Sequence, residues 1–274
     1  MTVAACGRLW RSALATLVLA MLVSPAPLSA QSLSAVPVEV LATPNGSSTS
    51  PKPRVRVFAQ DAPGLARMWG QADGQNGSNG YVELELMLGT HPSLDEPSAA
   101  ALSASFIVDF NDAAVQHLRH QLLTDLGSRV PTGQDVVRFV AKSMRGDYAS
   151  NSPYASKVAR SLQGDCTEYS LLTAALARSV QIPARIVNGL ALVYVDERWQ
   201  AYGHAWVQTF EAGRWVVRDS ALADLPGPAF YVPAFSFSDE GPGYALDLMR
   251  HIGRMPSRVQ IIDPSQATHI PKRD

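Results

Sequence analysis

Between Tyr81 and Leu88 apolar and polar residues alternate, with Val82, Leu84, Leu86 and Leu88 on one side and Glu83 and Glu85 on the other. A period of two predicts a half-buried strand. Shorter runs at Val38–Leu41, Arg54–Gln60 and Ser105–Phe110 predict further strands, divided by Gly-, Asn- and Ser-rich loops at 43–48 and 70–80. At Asn111 the period changes. Val115, Leu118, Leu122 and Leu126 recur at helical spacing and Gly127 offers a stop. A second helix is predicted from Thr132 to Ser143, with Thr132 as cap and Asp135 in its first turn. A third is predicted over Ala155–Leu162, and a fourth from Cys166 to just before Ile182-Pro183. Strand-like segments follow at Arg185–Tyr194, His204–Phe210 and Trp215–Asp219. Beyond Leu222 the chain is rich in Pro and Gly, with a short helix predicted at Tyr244–His251. A β-rich stretch, then helices, then antiparallel strands reads as an α+β fold.

The chain has 274 residues, 46% of them hydrophobic and 17% charged, as in an ordinary globular protein. Its first thirty residues have an export layout. Arg8 and Arg11 form a basic start, Ser12–Val23 is uncharged and mostly apolar, and Ser29-Ala30 offers a cleavage site. Residues 1–30 are therefore expected to be a signal peptide, and the protein periplasmic or secreted. Loss of Arg8 and Arg11 lowers the formal charge of −1 by two. That balance gives no support for nucleic-acid binding, and no later segment is apolar and long enough to insert in a membrane after signal removal.

Removal of the signal also removes Cys6, one of the 2 cysteines, and leaves Cys166 as the sole thiol. It is a small buried hydrophobe, an intermolecular linker or a reactive group. Gly164-Asp165 turns the chain sharply before a run of good helix formers, so Cys166 stands in a first helical turn. There the positive end of the macrodipole favours a thiolate, and unpaired backbone N–H groups can donate to a developing oxyanion. His204, Trp206, Gln208 and Phe210 share one strand face, and Trp215, Val217 and Asp219 share the next. A two-residue turn at Glu211-Ala212 sets His204 opposite Asp219. A four-residue turn sets Trp206 there instead. Both registers keep His204 and Asp219 on one face, where a carboxylate can fix the tautomer of the imidazole. The order of cysteine, then histidine, then aspartate is that of a nucleophile, base and orienter.

The run Gly164-Asp165-Cys166-Thr167-Glu168-Tyr169, with Ala174-Ala175-Leu176-Ala177-Arg178 and Ile182-Pro183-Ala184-Arg185, resembles the core of the transglutaminase-like superfamily. So do Gly203-His204-Ala205-Trp206 and Arg214-Trp215-Val216-Val217-Arg218-Asp219. The resemblance covers about Thr132 to Leu222. It departs mildly after the aspartate, where Ser220-Ala221 stands in place of a small residue or proline followed by threonine. The resemblance implies a papain-like core in which the helix carrying Cys166 packs on an antiparallel sheet carrying His204 and Asp219. It implies catalysis by those three residues as nucleophile, base and orienter, acting on peptide or protein amides through an acyl-enzyme. Hydrolysis is expected ahead of transfer to an amine, since no acceptor site is marked. The alternative is a non-catalytic binding or scaffold protein that retains the fold. The family also places an upstream side chain near the oxyanion, for which Tyr148, Tyr154 and Gln163 are candidates.

No cofactor and no metal is expected. His117 and His120 could share a helix face but lack a third ligand. Glu168 and Tyr169 are expected on the helix surface or in packing, and Trp206 and Trp215 in the core or cleft wall. The expected organisation is a signal peptide at 1–30, a β-rich region at 31–110, a transglutaminase-like domain at 111–250 and a C-terminal tail at 251–274. The expected partner is a peptide or protein substrate.

Overall fold

The computed structural model describes residues 38–41, 53–69, 79–86, 95–195, 198–225, 227–236, 240–252 and 255–262. The expected signal peptide, Cys6 and most of both Gly- and Asn-rich loops lie outside them. The described residues form an α+β fold with two four-stranded sheets.

The first sheet has the order β1 (Glu39–Leu41), β10 (Arg258–Ile262), β2 (Arg54–Phe58) and β3 (Tyr81–Glu85). The alternation read in β3 is real and β2 matches it: Val55 pairs with Leu84 and Val57 with Val82, and all four are buried. On the other face Arg56 donates to Glu83 Oε1 at 2.6 Å. The segment after residue 250, expected as a tail, supplies β10. It runs antiparallel to β2 and turns Val259 and Ile261 into the same core. Helix α1 (Ala62–Met68) follows β2; Asp61 accepts from Gly64 N at 2.9 Å and caps it. The chain then reaches a 3-10 turn at Ala99–Leu102.

Ser105–Phe110, expected as a strand, is irregular. Ser105 Oγ accepts from Val108 N at 3.0 Å while Ser105 N donates to Val108 O, so the segment closes on itself rather than pairing. Four helices follow: α2 (Ala113–Leu126), α3 (Gly133–Ser143), α4 (Ala155–Ser161) and α5 (Cys166–Ser179). The expected Thr132 cap holds, with the full Thr132–Asp135 capping box present. Two short parallel strands, β4 (Arg145–Gly146) and β5 (Gln163–Gly164), tie the chain before α4 to the entrance of α5.

The second sheet has the order β8 (Arg214–Arg218), β7 (Arg198–Glu211), β6 (Ala184–Val195) and β9 (Ala229–Ser236), all antiparallel. Ala184, Ile186, Leu190 and Leu192 share one face of β6. The first two join Leu171, Leu172, Leu176 and Val207 in a core under the helices. The last two join Phe230, Val232 and the Val55, Val57 and Val82 face of the first sheet. Helix α6 (Tyr244–Ile252) precedes β10. Behind α5, Arg178 and Glu240 form an ion pair at 2.7 Å with 1% of each side chain exposed.

Candidate active site

The Cys166 helix begins where the sequence places it, through a capping box. Asp165 Oδ1 accepts from Thr167 N at 2.8 Å, and Glu168 Oε2 accepts from Asp165 N at 3.0 Å. Glu168 is therefore no surface residue. It is buried, and its other oxygen accepts from Ser152 N at 3.0 Å, tying the 147–154 loop to the start of α5. Burial raises its pKa from 4.5 to about 7 against the two amide donors, with the Asp165 charge adding to the rise. Cys166 is a free thiol and buried.

β7 is longer than its expected span, so His204 lies in mid-strand rather than at its start. The hairpin has the register expected of the four-residue turn, with one further pair, Glu211 with Arg214, so that it closes through Ala212-Gly213. Both turn residues have positive φ, 51° and 75°. That matches the two-residue turn type whose twist suits a hairpin and explains the glycine. The ladder ends at Val207 and Arg218, a register that continues to Trp206 and Asp219. His204 meets Asp219 diagonally, with Nε2 at 2.7 Å from Oδ2.

The carboxylate of Asp219 is fully engaged. Oδ1 accepts from Ala221 N at 3.0 Å and Leu222 N at 3.1 Å, and Oδ2 also accepts from Tyr231 Oη at 2.8 Å. One residue on, Ser220 Oγ is 2.7 Å from Thr173 Oγ1, which locks this turn to α5. Around the imidazole, Tyr202 stands edge-on at 5.9 Å and Trp206 lies parallel at 6.2 Å. His204 is 2% exposed, too little for bulk water to compete for its ring nitrogens.

Burial alone would lower the pKa of His204. The Asp219 charge and hydrogen bond, with further support from a hydrogen bond and charge at Cys166, raise it from 6.5 to about 10. Asp219 bonds Nε2 at 2.7 Å, and Cys166 lies close enough to act on the ionisation of the same ring. Burial would raise the pKa of Asp219, and the His204 charge with hydrogen bonds from His204, Tyr231 and Leu222 brings it below 3.8 instead. Tyr202 is pushed up to about 12 by burial and by the charges of Asp219 and Cys166, and Tyr148 adds a smaller effect.

Of the oxyanion candidates, Tyr154 is committed to packing: it precedes α4 and its ring meets Phe106 edge-on at 5.3 Å. Gln163 is exposed in β5. Tyr148 is exposed and close enough to Tyr202 to act on its ionisation. His117 Nε2 lies 3.1 Å from Gln121 Nε2 on the surface of α2. Among the described residues no three His, Cys, Asp or Glu side chains gather in a metal-binding group, and no helix is long and apolar enough to cross a membrane. Tyr231 and Tyr202 were not foreseen as neighbours of His204. Tyr202 carried a signal, since it shares strand parity with His204. Tyr231 carried none, because it sits on a strand two positions across the sheet.

Residues 117–220 match the family described as the Transglutaminase-like superfamily. The matched segment contains Cys166, His204 and Asp219 and stops one residue beyond the aspartate, so the likeness to that family falls on the segment that builds the site. Among solved structures, a candidate cysteine protease from Cytophaga hutchinsonii is 19% identical, with a TM-score of 0.40, over 58% of this chain and 55% of that one. The periplasmic domain of TgpA from Pseudomonas aeruginosa bound to ethylmercury is 14% identical, with a TM-score of 0.33, over 44% of this chain and 47% of that one. The chain thus spans about half the length of each. No curated protein matches it.

Proposed function

We propose that this protein is a cysteine enzyme of the transglutaminase-like type that works on peptide or protein amide bonds through an acyl-enzyme at Cys166. The observation that carries the reading is the single imidazole held between a thiol and a buried, fully hydrogen-bonded carboxylate. His204 takes the thiol proton as sulfur attacks the amide carbonyl, and the tetrahedral oxyanion is met by the backbone N–H of Cys166, which the capping box of α5 leaves unused. His204 then protonates the departing amine, the C–N bond breaks, and the acyl group stays on sulfur. In the second half-reaction His204 takes a proton from water as it attacks the thioester, and the carboxylic acid leaves with the thiol restored. Asp219 holds the ring in the tautomer and orientation that both steps need.

Hydrolysis is the proposed outcome, in a periplasmic or secreted setting, with no cofactor and no metal. Alkylation by iodoacetamide near neutral pH tests the nucleophile. Cys166 should react faster than a free thiol, and His204→Ala should abolish the advantage. If neither holds, the enzyme reading fails. Mass spectrometry of a labelled peptide substrate with and without a primary amine separates hydrolysis from transfer, since only transfer yields the amine adduct.

A further inference from the structure

Tyr231 lies in β9, outside the 117–220 segment that matches the family. It reaches the site across the sheet: Ala191 of β6 pairs with Tyr202 of β7 on one side and with Tyr231 on the other. Its ring packs on Trp206 at 4.9 Å and lies 6.3 Å from His204. Its hydroxyl donates at 2.8 Å to the same Asp219 oxygen that His204 meets at 2.7 Å.

We propose that Tyr231 is a positioning residue of the triad, whose hydroxyl fixes the rotation of the Asp219 carboxylate and through it the orientation of His204. The proposal rests on the triad reading above. Two features of the structure support it. Asp219 stands beyond the last ladder pair, so strand pairing does not orient it, and its side-chain donors must. The backbone of Ala221 and Leu222 holds Oδ1, and at Oδ2 Tyr231 is the donor that joins His204, so its hydroxyl restrains the rotation of the carboxylate at the end that faces the imidazole. Asp219 and Tyr231 also line a cavity of about 640 Å³ whose other walls include Gln134, Arg138, Lys142 and Asp224. Without the hydroxyl, Oδ2 would turn toward that polar cavity and be solvated there, at the expense of its bond to Nε2. The other titratable groups facing Asp219 are His204, Tyr202 and, through the ring, Cys166.

The test is a double-mutant cycle read by the rate of Cys166 alkylation with iodoacetamide in the full chain. Tyr231→Phe keeps the ring on Trp206 and removes one oxygen. It should slow alkylation about tenfold, the usual weight of a hydrogen bond to a charged group. In an Asp219→Asn background the same change should alter the rate less than about twofold, because the group it acts through has been replaced. The low-field proton resonance of the His204–Asp219 bond should broaden or move upfield in Tyr231→Phe. Equal slowing in both backgrounds, or no slowing in either, overturns the proposal. So does a Tyr231→Phe chain that fails to fold, since the hydroxyl is then structural. If His204→Ala leaves the rate at the wild-type value, the triad reading itself fails. If His204→Ala slows alkylation and Tyr231→Phe does not, only the positioning role falls.

Discussion

His204 Nε2 lies 2.7 Å from Asp219 Oδ2 although the ladder joining their strands ends at Val207 and Arg218. The contact is made by a carboxylate just past the strand end, reaching back diagonally toward a histidine in mid-strand. Backbone pairing therefore sets the face on which the two meet, and side-chain donors set the final geometry. That division makes the pair sensitive to charge state, to the carboxylate's other partners and to the spacing of β6 and β9.

Charge state gives a stability signature. His204 has its pKa raised from 6.5 to about 10, so its pairing stabilises the fold fully below 6.5 and loses that effect as pH climbs through about 10. Asp219 is lowered from 3.8, so its contribution is present above 3.8 and fades as pH falls below it. The difference in unfolding free energy between wild type and His204→Ala should be widest between pH 3.8 and 6.5 and narrow steadily above. Urea titrations across pH 4 to 10 measure it. A gap that is flat or grows from 6.5 upward contradicts the pairing.

Glu168 has the opposite consequence for its own stability. Its pKa is raised to about 7, chiefly by burial, so the folded state prefers the neutral form and wild type loses stability as pH rises from 4.5 through 7. Glu168→Gln mimics the protonated side chain and should remove that slope, so that the variant gains on wild type between those values. It also loses one of the two acceptors that hold Ser152 N and Asp165 N. Alkylation of Cys166 at pH 8 should therefore fall several-fold, by about the weight of one charge-assisted hydrogen bond. A variant whose denaturation midpoint tracks wild type at every pH would show that Glu168 does not titrate in this range.

Helix starts were readable in the sequence because their caps are local. Thr132 with Asp135 and Asp165 with Glu168 each complete a box within four residues. The face shared by His204 and Asp219 was readable because strand parity is the same in both registers the sequence allows, and the one found is that with Trp206 level with Asp219. Long-range closure was not readable. The alternation of Val259 and Ile261 inside a short segment gives no sign that it pairs with β2 across the length of the chain. β9 was hidden by Pro233, which sits at the bulge where β6 and β9 change register between Asn188 and Gly189. Tyr231 was hidden with it. Glu168 was misplaced because a charged residue on a helix is usually solvated, and only the fold shows the loop that covers it.

The buried ion pair behind α5 should matter to stability and not to chemistry. Arg178 donates to both Glu240 oxygens and to the carbonyls of Ala184 and Ser103, joining α5 to β6 and to two connecting segments. Glu240→Ala leaves a buried guanidinium without its counter-charge, which costs about 3–5 kcal/mol. The urea midpoint should drop accordingly, while the alkylation rate of Cys166 in the folded protein stays at the wild-type value. A midpoint shift equivalent to less than about 1 kcal/mol would mean that the carbonyl partners alone satisfy Arg178.

Gly189 tests whether sheet spacing governs the site. It pairs with His204 on β7 and with Pro233 on β9, and a Cβ there would lie 2.1 Å from the backbone oxygen of Val232. Backbone cannot rotate away as a side chain can, so Gly189→Ala must push β9 outward from β6, at a typical overpacking cost of about 1–3 kcal/mol. The strand that moves carries Tyr231. If the Tyr231 hydroxyl orients Asp219, Gly189→Ala should slow Cys166 alkylation by about as much as Tyr231→Phe, and the two changes combined should slow it little further. If sheet spacing acts independently of that hydroxyl, the two effects multiply. Rates for the two single variants and the double variant, taken well below each melting temperature, decide between these outcomes.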